Sequence, residues 1–88
     1  MNINIDELKK KIIYRSNYRG TKEMDKLLSS FTKKYIDTLD DIELNLLSNL
    51  LDLDDLNLLN FNQGKKIHIN IEVNKVSNLF RNYIYNKD

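Results

Sequence analysis

The stretch YRGTKEMD, residues 18–25, decides how this chain folds, because it separates two segments with helical periodicity. Gly20 is one of only two glycines among 88 residues, and glycine takes the left-handed backbone that ends a helix at little steric cost. Arg19 is therefore predicted at the end of a first helix, and Glu23 in the first turn of a second. The sequence predicts a tight corner with a guanidinium on one helix and a carboxylate on the next.

These two charges also have a purely structural interpretation. A cation at a helix C-terminus and an anion at an N-terminus each complement the helix dipole, by about 0.3–1 kcal/mol. Charges of this kind are common at helix ends. Taken alone, the corner therefore leaves the structural and the functional interpretation open.

The segments on both sides of the corner predict amphipathic helices. After it, apolar residues recur at i, i+3, i+4, i+7 and i+11, which predicts a core-facing helix from about Lys22 to Ile36. Before it, Asp6 is predicted to cap a helix that ends at about Asn17 or Tyr18. The second helix would bury Met24, Leu27, Leu28, Phe31 and Tyr35. The first would bury Ile5, Leu8 and Ile12, with Ile13 as a further candidate.

A third helix follows a capping box. Asp40 has the position and chemistry of a cap, and Glu43 stands three residues later, where its side chain can return to the Asp40 N–H. The helix is predicted to run to about Leu51. Its apolar surface would be formed by Leu39, Ile42, Leu46, Leu47, Leu50 and Leu51.

The last third of the chain is less regular. Asp54 or Asp55 is predicted to cap a short fourth helix that Gly64 ends. Residues 67–71 alternate apolar and polar side chains, as a strand does, but the sequence offers no second strand to pair with. We predict an extended connection over residues 65–71 and a last helix from about Asn70 to Tyr85. Residues 1–88 are thus expected to form one all-α domain of about five helices, one of them short.

The composition excludes several kinds of catalytic site. The chain has no cysteine and a single histidine, His68, so disulfides and zinc sites of the usual kinds are not available. Two glycines do not make a glycine-rich phosphate loop. We therefore expect no catalytic residues and no metal site, and the sequence indicates a recognition protein rather than an enzyme.

Charge is distributed unevenly, although the net charge is only +1. Residues 9–22 contain six bases and no acid, and residues 37–55 contain seven acids and no base. One interpretation is orientation on a charged partner, and another is ordinary solvated helix faces. A third is nucleic-acid binding through Lys9, Lys10, Lys11 and Arg15, against which the low net charge and the acidic middle argue.

The sequence gives no sign of membrane insertion or export. No apolar run approaches the roughly 20 residues of a membrane span, and the N-terminus has neither a signal core nor an Arg-rich leader. We expect a bacterial cytoplasmic protein, or a mitochondrial matrix protein if a leader has been removed.

Two blocks resemble a known family. The string IYRSNYRGTKEMDKLL, residues 13–28, resembles the Arg-Gly-x-x-Glu signature of the FAD assembly factors of succinate dehydrogenase. The string LLDLDDLNLLNF, residues 50–61, resembles the acidic corner and short helix of that family. The likeness covers roughly residues 9–64. Departures are Tyr18, where the family usually has a base, Thr21, often Met, and Phe61, commonly Trp.

The resemblance implies a chaperone that binds the succinate dehydrogenase flavoprotein subunit and promotes covalent attachment of FAD to it. Some family members also serve the fumarate reductase flavoprotein. The flavin bond forms within the partner, so the resemblance implies that the chain binds no FAD stably by itself. Separately, the low net charge and the acidic middle lead us to expect no nucleic-acid contact, and we expect a monomer when free. The implied partner-binding residues are Arg15, Tyr18, Arg19, Gly20, Glu23, Asp54 and Asp55.

A physical hypothesis accompanies this assignment. Gly20 would allow a partner to approach the backbone closely, and Arg19 would donate several hydrogen bonds to partner carbonyls or a carboxylate. Glu23 would either hold Arg19 in place or pair with a base of the partner. Arg15, one helical turn before Arg19, would extend the contact.

Overall fold

The second helix buries the apolar stripe that its sequence predicts. The computed structural model describes residues 4–85, in which α1 spans Ile5–Asn17 and α2 spans Lys22–Tyr35. The stripe of α2 is buried at Met24, Leu27, Leu28 and Phe31. Helix α1 packs against it through Leu8 and Ile12. The predicted pair of helices on either side of Gly20 is confirmed.

The cap of α1 differs from the predicted one. The helix begins at Ile5, and the Asn4 side chain accepts a hydrogen bond from the Asp6 backbone N–H at 2.9 Å. Asp6 therefore lies within the first turn, where its charge complements the helix dipole. The prediction of Asp6 as the cap was wrong because Asn4, an equally good cap, allows the half-buried Ile5 to join the helix.

Helix α3 spans Asp41–Leu51 and begins at the predicted capping box. Glu43 N–H donates to the Asp40 carboxylate, and Asp40 N–H donates to Glu43 Oε1, both at 2.9 Å. The buried residues are Leu44, Leu47, Leu50 and Leu51. Ile42, predicted to be part of this surface, is 74 % exposed, because it points away from the side of α3 that carries Leu47 and Leu51.

Helix α4 spans Asp55–Asn62, with Asp54 at the cap position. Asp54 makes no side-chain bond to the helix backbone and instead accepts from Asn57 Nδ2 at 2.6 Å. Gly64 ends the helix with φ +72°, and the Lys65 N–H returns to the Asn60 carbonyl at 2.8 Å. This is the glycine stop that the sequence predicts.

The last helix is shorter than predicted. Helix α5 spans Lys75–Arg81, and residues 65–74 form an irregular connection. Asn74 and Ser77 make a capping box with both bonds at 2.9 Å, and Ser77 Oγ also donates to the Glu72 carbonyl at 2.7 Å. This cap starts the helix five residues after Asn70. The extended connection was predicted correctly, but its length was underestimated.

The final described residues lie across α2 and α4. Tyr83 packs edge-on against Phe31 and its hydroxyl lies 2.9 Å from Ser30 Oγ. Asn62 Nδ2 donates to the carbonyls of Phe80 and Tyr83 at 2.7 and 2.9 Å. Across residues 4–85 the structure contains helices and no strand, so the all-α prediction is confirmed. None of the described helices has the length and apolarity needed to cross a bilayer.

Candidate partner-binding site at the first helix corner

Gly20 forms the exposed tip of the corner between α1 and α2. Its φ is +115°, and a Cβ placed there would have no atom of the described structure within 4 Å. Thr21 then caps α2 by accepting from the Met24 N–H at 3.2 Å. The backbone at Gly20 is therefore bare on its outer side, as the hypothesis of close approach requires.

Arg19 points inward, towards the corner between α3 and α4. Its Nε donates to Asp55 at 2.9 Å, Nη1 to the Leu51 carbonyl at 2.8 Å and Nη2 to the Leu53 carbonyl at 2.9 Å. The side chain is only 11 % exposed. Carbonyls at a helix C-terminus lack intrahelical partners, and the planar guanidinium supplies donors for them.

This geometry changes the hypothesis for Arg19. The multiple hydrogen bonds that were predicted to reach a partner are made within the chain itself. The Arg19 backbone N–H also donates to Asp25 Oδ1 at 2.5 Å. Arg19 therefore joins the corner between α1 and α2 to the corner between α3 and α4. Its side chain lies on the inner side of the Gly20 tip.

Arg15 extends the same attachment one helical turn earlier. Its Nη1 lies 3.3 Å from the Ser48 carbonyl and 3.1 Å from Ser48 Oγ, and its Nη2 pairs with Asp52. The side chain is one-third exposed, so Arg15 keeps part of its surface at the edge of the corner. Its predicted neighbourhood with Arg19 is confirmed, although both side chains contact α3.

Glu23 lies on the outer surface and not against Arg19. Within residues 4–85 its carboxylate forms neither a hydrogen bond nor an ion pair. Of the two roles considered for it, holding Arg19 belongs instead to Asp25 and Asp55. Glu23 is left as an exposed anion beside the bare Gly20 backbone.

The two aspartates of the acidic corner have different surroundings. Asp55 is half-buried and pairs with Arg19, whereas Asp54 is exposed and bonds only Asn57 within the chain. Tyr18 is 70 % exposed, with its ring 4.7 Å from that of Tyr14. The corner thus presents Tyr18, Gly20 and Glu23 outward.

The uneven charge of the sequence explains how the corner is held. Three ion pairs join the basic segment, residues 9–22, to the acidic segment, residues 37–55. They are Lys9 with Asp37, Arg15 with Asp52 and Arg19 with Asp55. Sequence reasoning assigned Asp52 and Asp55 to helix capping and missed these pairings. The opposite charges of the two segments were the one signal that could have indicated them.

The described surface shows no cluster of metal-ligating side chains. No group of three or more His, Asp or Glu side chains in residues 4–85 is arranged to hold a metal ion, and His68 lies exposed in the 65–74 connection. What the fold provides is a corner held by the hydrogen bonds of Arg19, with exposed aromatic, glycine and acidic positions. These features describe a small helical domain with an exposed corner between its first two helices.

Comparison with known proteins identifies the family. The family model described as "Flavinator of succinate dehydrogenase" matches residues 10–84. The chain therefore belongs to this family, and its function is that of an assembly factor for the flavin of succinate dehydrogenase. Searches of individually curated proteins and of solved structures give no match. The resemblance seen in residues 13–28 and 50–61 is confirmed.

Proposed function

We propose that the chain binds the flavoprotein subunit of succinate dehydrogenase through the corner formed by Tyr18, Gly20 and Glu23. The observation that carries this proposal is the combination of a bare, fixed glycine backbone with an exposed carboxylate three residues later. Because Arg19 and Asp55 hold the corner from inside, little conformational entropy is lost when a partner binds.

Binding supports flavin attachment by selecting a conformation of the partner. A factor that prefers the attachment-competent state shifts the partner towards it by its differential affinity, without any chemical step of its own. The chain is then a binding factor and not the catalyst. FAD remains with the flavoprotein, since this sequence has no glycine-rich loop to hold its phosphates. One monomer per flavoprotein, in the compartment where the flavoprotein folds, is sufficient for this role.

The residues of the corner divide into two groups under this proposal. Gly20, Glu23 and Tyr18 contact the partner directly, and Asp54 borders the contact at the exposed end of α4. Arg19 and Asp55 act by positioning, and Arg15 does both through its exposed third. A fumarate reductase flavoprotein with the same surface would be served in the same way.

The test is co-expression with the cognate flavoprotein, followed by denaturing electrophoresis and in-gel flavin fluorescence, which detects covalent flavin alone. We expect Glu23→Gln and Gly20→Arg to lower the signal several-fold, because each removes or blocks a direct contact. Glu72→Gln is the matched control, since Glu72 is an exposed glutamate outside the corner. Equal fluorescence for Glu23→Gln and Glu72→Gln would refute the corner as the contact.

A further inference from the structure

The outward side of α1 carries a second stripe that the core does not use. Residues 10, 13, 14, 17 and 18 follow i, i+3, i+4, i+7 and i+8, and they lie away from the buried Leu8 and Ile12. Ile13 is 44 % exposed, Tyr14 65 % and Tyr18 70 %. Single exposed apolar residues are ordinary, but a contiguous patch of them marks an interaction surface.

The two tyrosines of the stripe are already arranged against each other. Their ring centroids are 4.7 Å apart and the ring planes are inclined by 40°. Side chains that already contact each other have less rotamer freedom to lose on binding, and tyrosine is among the residues that dominate protein interfaces. A shallow depression lined by Lys10, Ile13, Asn17 and the two tyrosines lies along the stripe.

The charge beside the stripe is positive and uncompensated. Lys10 and Lys11 are exposed, and within residues 4–85 neither has a carboxylate oxygen within 4.0 Å. Lys9 and Arg15, on either side of them, are paired with Asp37 and Asp52. The sequence from residue 9 to residue 22 contains no acid. The stripe therefore combines apolar and aromatic groups with two ammonium groups that lack partners in the described structure.

We propose that this α1 stripe is a second docking surface, continuous with the corner through Tyr18, for an acidic and partly apolar face of the flavoprotein subunit. The inference rests on the proposed function, and it adds the chemistry of the partner surface. Carboxylates of the partner face Lys10 and Lys11, and apolar side chains of the partner cover Ile13 and Tyr14. A protein partner fits better than nucleic acid, because Lys9 and Arg15 are already paired and the centre of the stripe is apolar.

The experiment measures binding of the purified cognate flavoprotein to the full-length chain by biolayer interferometry at two salt concentrations. Lys10→Glu/Lys11→Glu is compared with Lys65→Glu/Lys66→Glu, since both pairs are adjacent exposed lysines. Tyr14→Ala is compared with Val73→Ala, which truncates a residue 77 % exposed outside α1. We expect the α1 lysine variant to bind about tenfold more weakly at low salt, chiefly through slower association, and less so at high salt. We expect Tyr14→Ala to bind about tenfold more weakly through faster dissociation.

The outcomes separate this inference from the proposed function. If Glu23→Gln weakens binding while both α1 variants match their controls, the second surface is wrong and the corner stands. If the wild-type chain does not bind the flavoprotein, the proposed function and this inference both fail. If the α1 lysine variant loses retention on a single-stranded RNA oligonucleotide but binds the flavoprotein normally, the stripe serves nucleic acid and the inference is overturned.

Discussion

The corner at residues 18–21 and the connection at residues 65–74 are both breaks after a helix. Gly20 lies within the first, Gly64 lies directly before the second, and both glycines have positive φ. They are held in different ways. Arg19 joins the first break to residues 32 to 36 positions away in the sequence. The second break depends mainly on bonds between near neighbours, such as Ser77 with Asn74 and Glu72.

This difference separates a corner held by long-range side-chain bonds, which the proposed function makes the contact surface, from a connection held mainly by local bonds. In the first, side-chain bonds of high directionality lie behind the backbone, and the front is left bare at Gly20 and Glu23. In the second, Ile71 packs against the core, and the hydrogen bond from the His68 N–H to the Asn57 side chain is a weak one, at 3.4 Å. A fixed surface binds with less loss of entropy than a mobile one.

Of the substitutions proposed here, replacing Arg19 should lower the free energy of unfolding most. Arg19→Ala removes three hydrogen bonds and leaves Asp55, 27 % exposed, without its cation. Breaking a buried ion pair costs about 3–5 kcal/mol. We expect a loss near the lower end, about 3 kcal/mol of unfolding free energy, measured by urea denaturation. Arg19→Lys should lose less, because one ammonium keeps the Asp55 pair but cannot reach both carbonyls.

A matched control is Arg81→Ala, which removes an exposed arginine near the Phe61 ring and should cost no more than about 1 kcal/mol. An Arg19→Ala chain as stable as Arg81→Ala would contradict the positioning role. Glu23→Gln should leave stability unchanged while lowering flavin attachment. That contrast would separate the residues that hold the corner from those proposed to contact the partner.

The sequence could predict the elements of the site but not their connections. Gly20, the α2 stripe and the Asp40 capping box follow from local rules, and all are present. The hydrogen-bond partners of Arg19 do not follow from local rules, because they depend on how α3 and α4 pack against α1. Several acids in residues 37–55 could have paired with Arg19, and the local sequence pattern does not distinguish among them.

The last helix shows a similar limit. One helical stripe accommodates Val73, Val76 and Phe80. The periodicity therefore predicts a helix that begins several residues before the observed cap at Asn74. In the structure Val76 and Phe80 are buried and Val73 is 77 % exposed. The start of the helix is set by the Asn74 side chain. It accepts a hydrogen bond from the Ser77 N–H and so competes with the backbone carbonyl that would accept it in a longer helix. Periodicity does not register that competition.

Replacing either glycine tests the two breaks with a smaller expected loss of unfolding free energy. At φ +72° Gly64 lies near the left-handed region, where alanine costs about 1 kcal/mol. At φ +115° Gly20 lies outside it, and we expect Gly20→Ala to cost about 2 kcal/mol. Urea denaturation of the two variants measures this difference, and neither substitution meets a neighbouring atom within 4 Å.

Covalent flavin attachment should also differ between Gly20→Ala and Gly64→Ala. Gly20→Ala places a methyl group on the proposed contact surface, whereas Gly64→Ala does not. We expect the first to lower covalent flavin in co-expression and the second to leave it near wild type. Equal flavin attachment by both, at comparable stability, would mean that the bare backbone of Gly20 is not what the partner requires.

The smallest expected effect concerns the end of the second region, where Lys75 joins α5 to α3. Lys75 Nζ lies 2.8 Å from Glu43 Oε2, and this hydrogen bond, with that from the Asp40 N–H, lowers the pKa of the Glu43 carboxyl. The bond to Glu43 likewise raises the pKa of Lys75. A lowered carboxyl pKa stabilises the fold above the ordinary value of about 4.3. That contribution is lost as the pH falls through the lower, folded-state pKa.

Glu43→Gln keeps an oxygen for the Asp40 N–H and removes only the charge. Its melting temperature should lie slightly below that of the wild type at pH 7, because exposed ion pairs contribute little. The gap should close as the pH falls below the pKa of Glu43, since the wild-type residue then becomes neutral as well. On the alkaline side the pair persists until Lys75 deprotonates, above the ordinary lysine value of about 10.4. A gap that stays constant into acid would show that the charge of Glu43 does not contribute, that the amide is merely a poorer cap than the carboxyl group, and that α5 is held to α3 by packing.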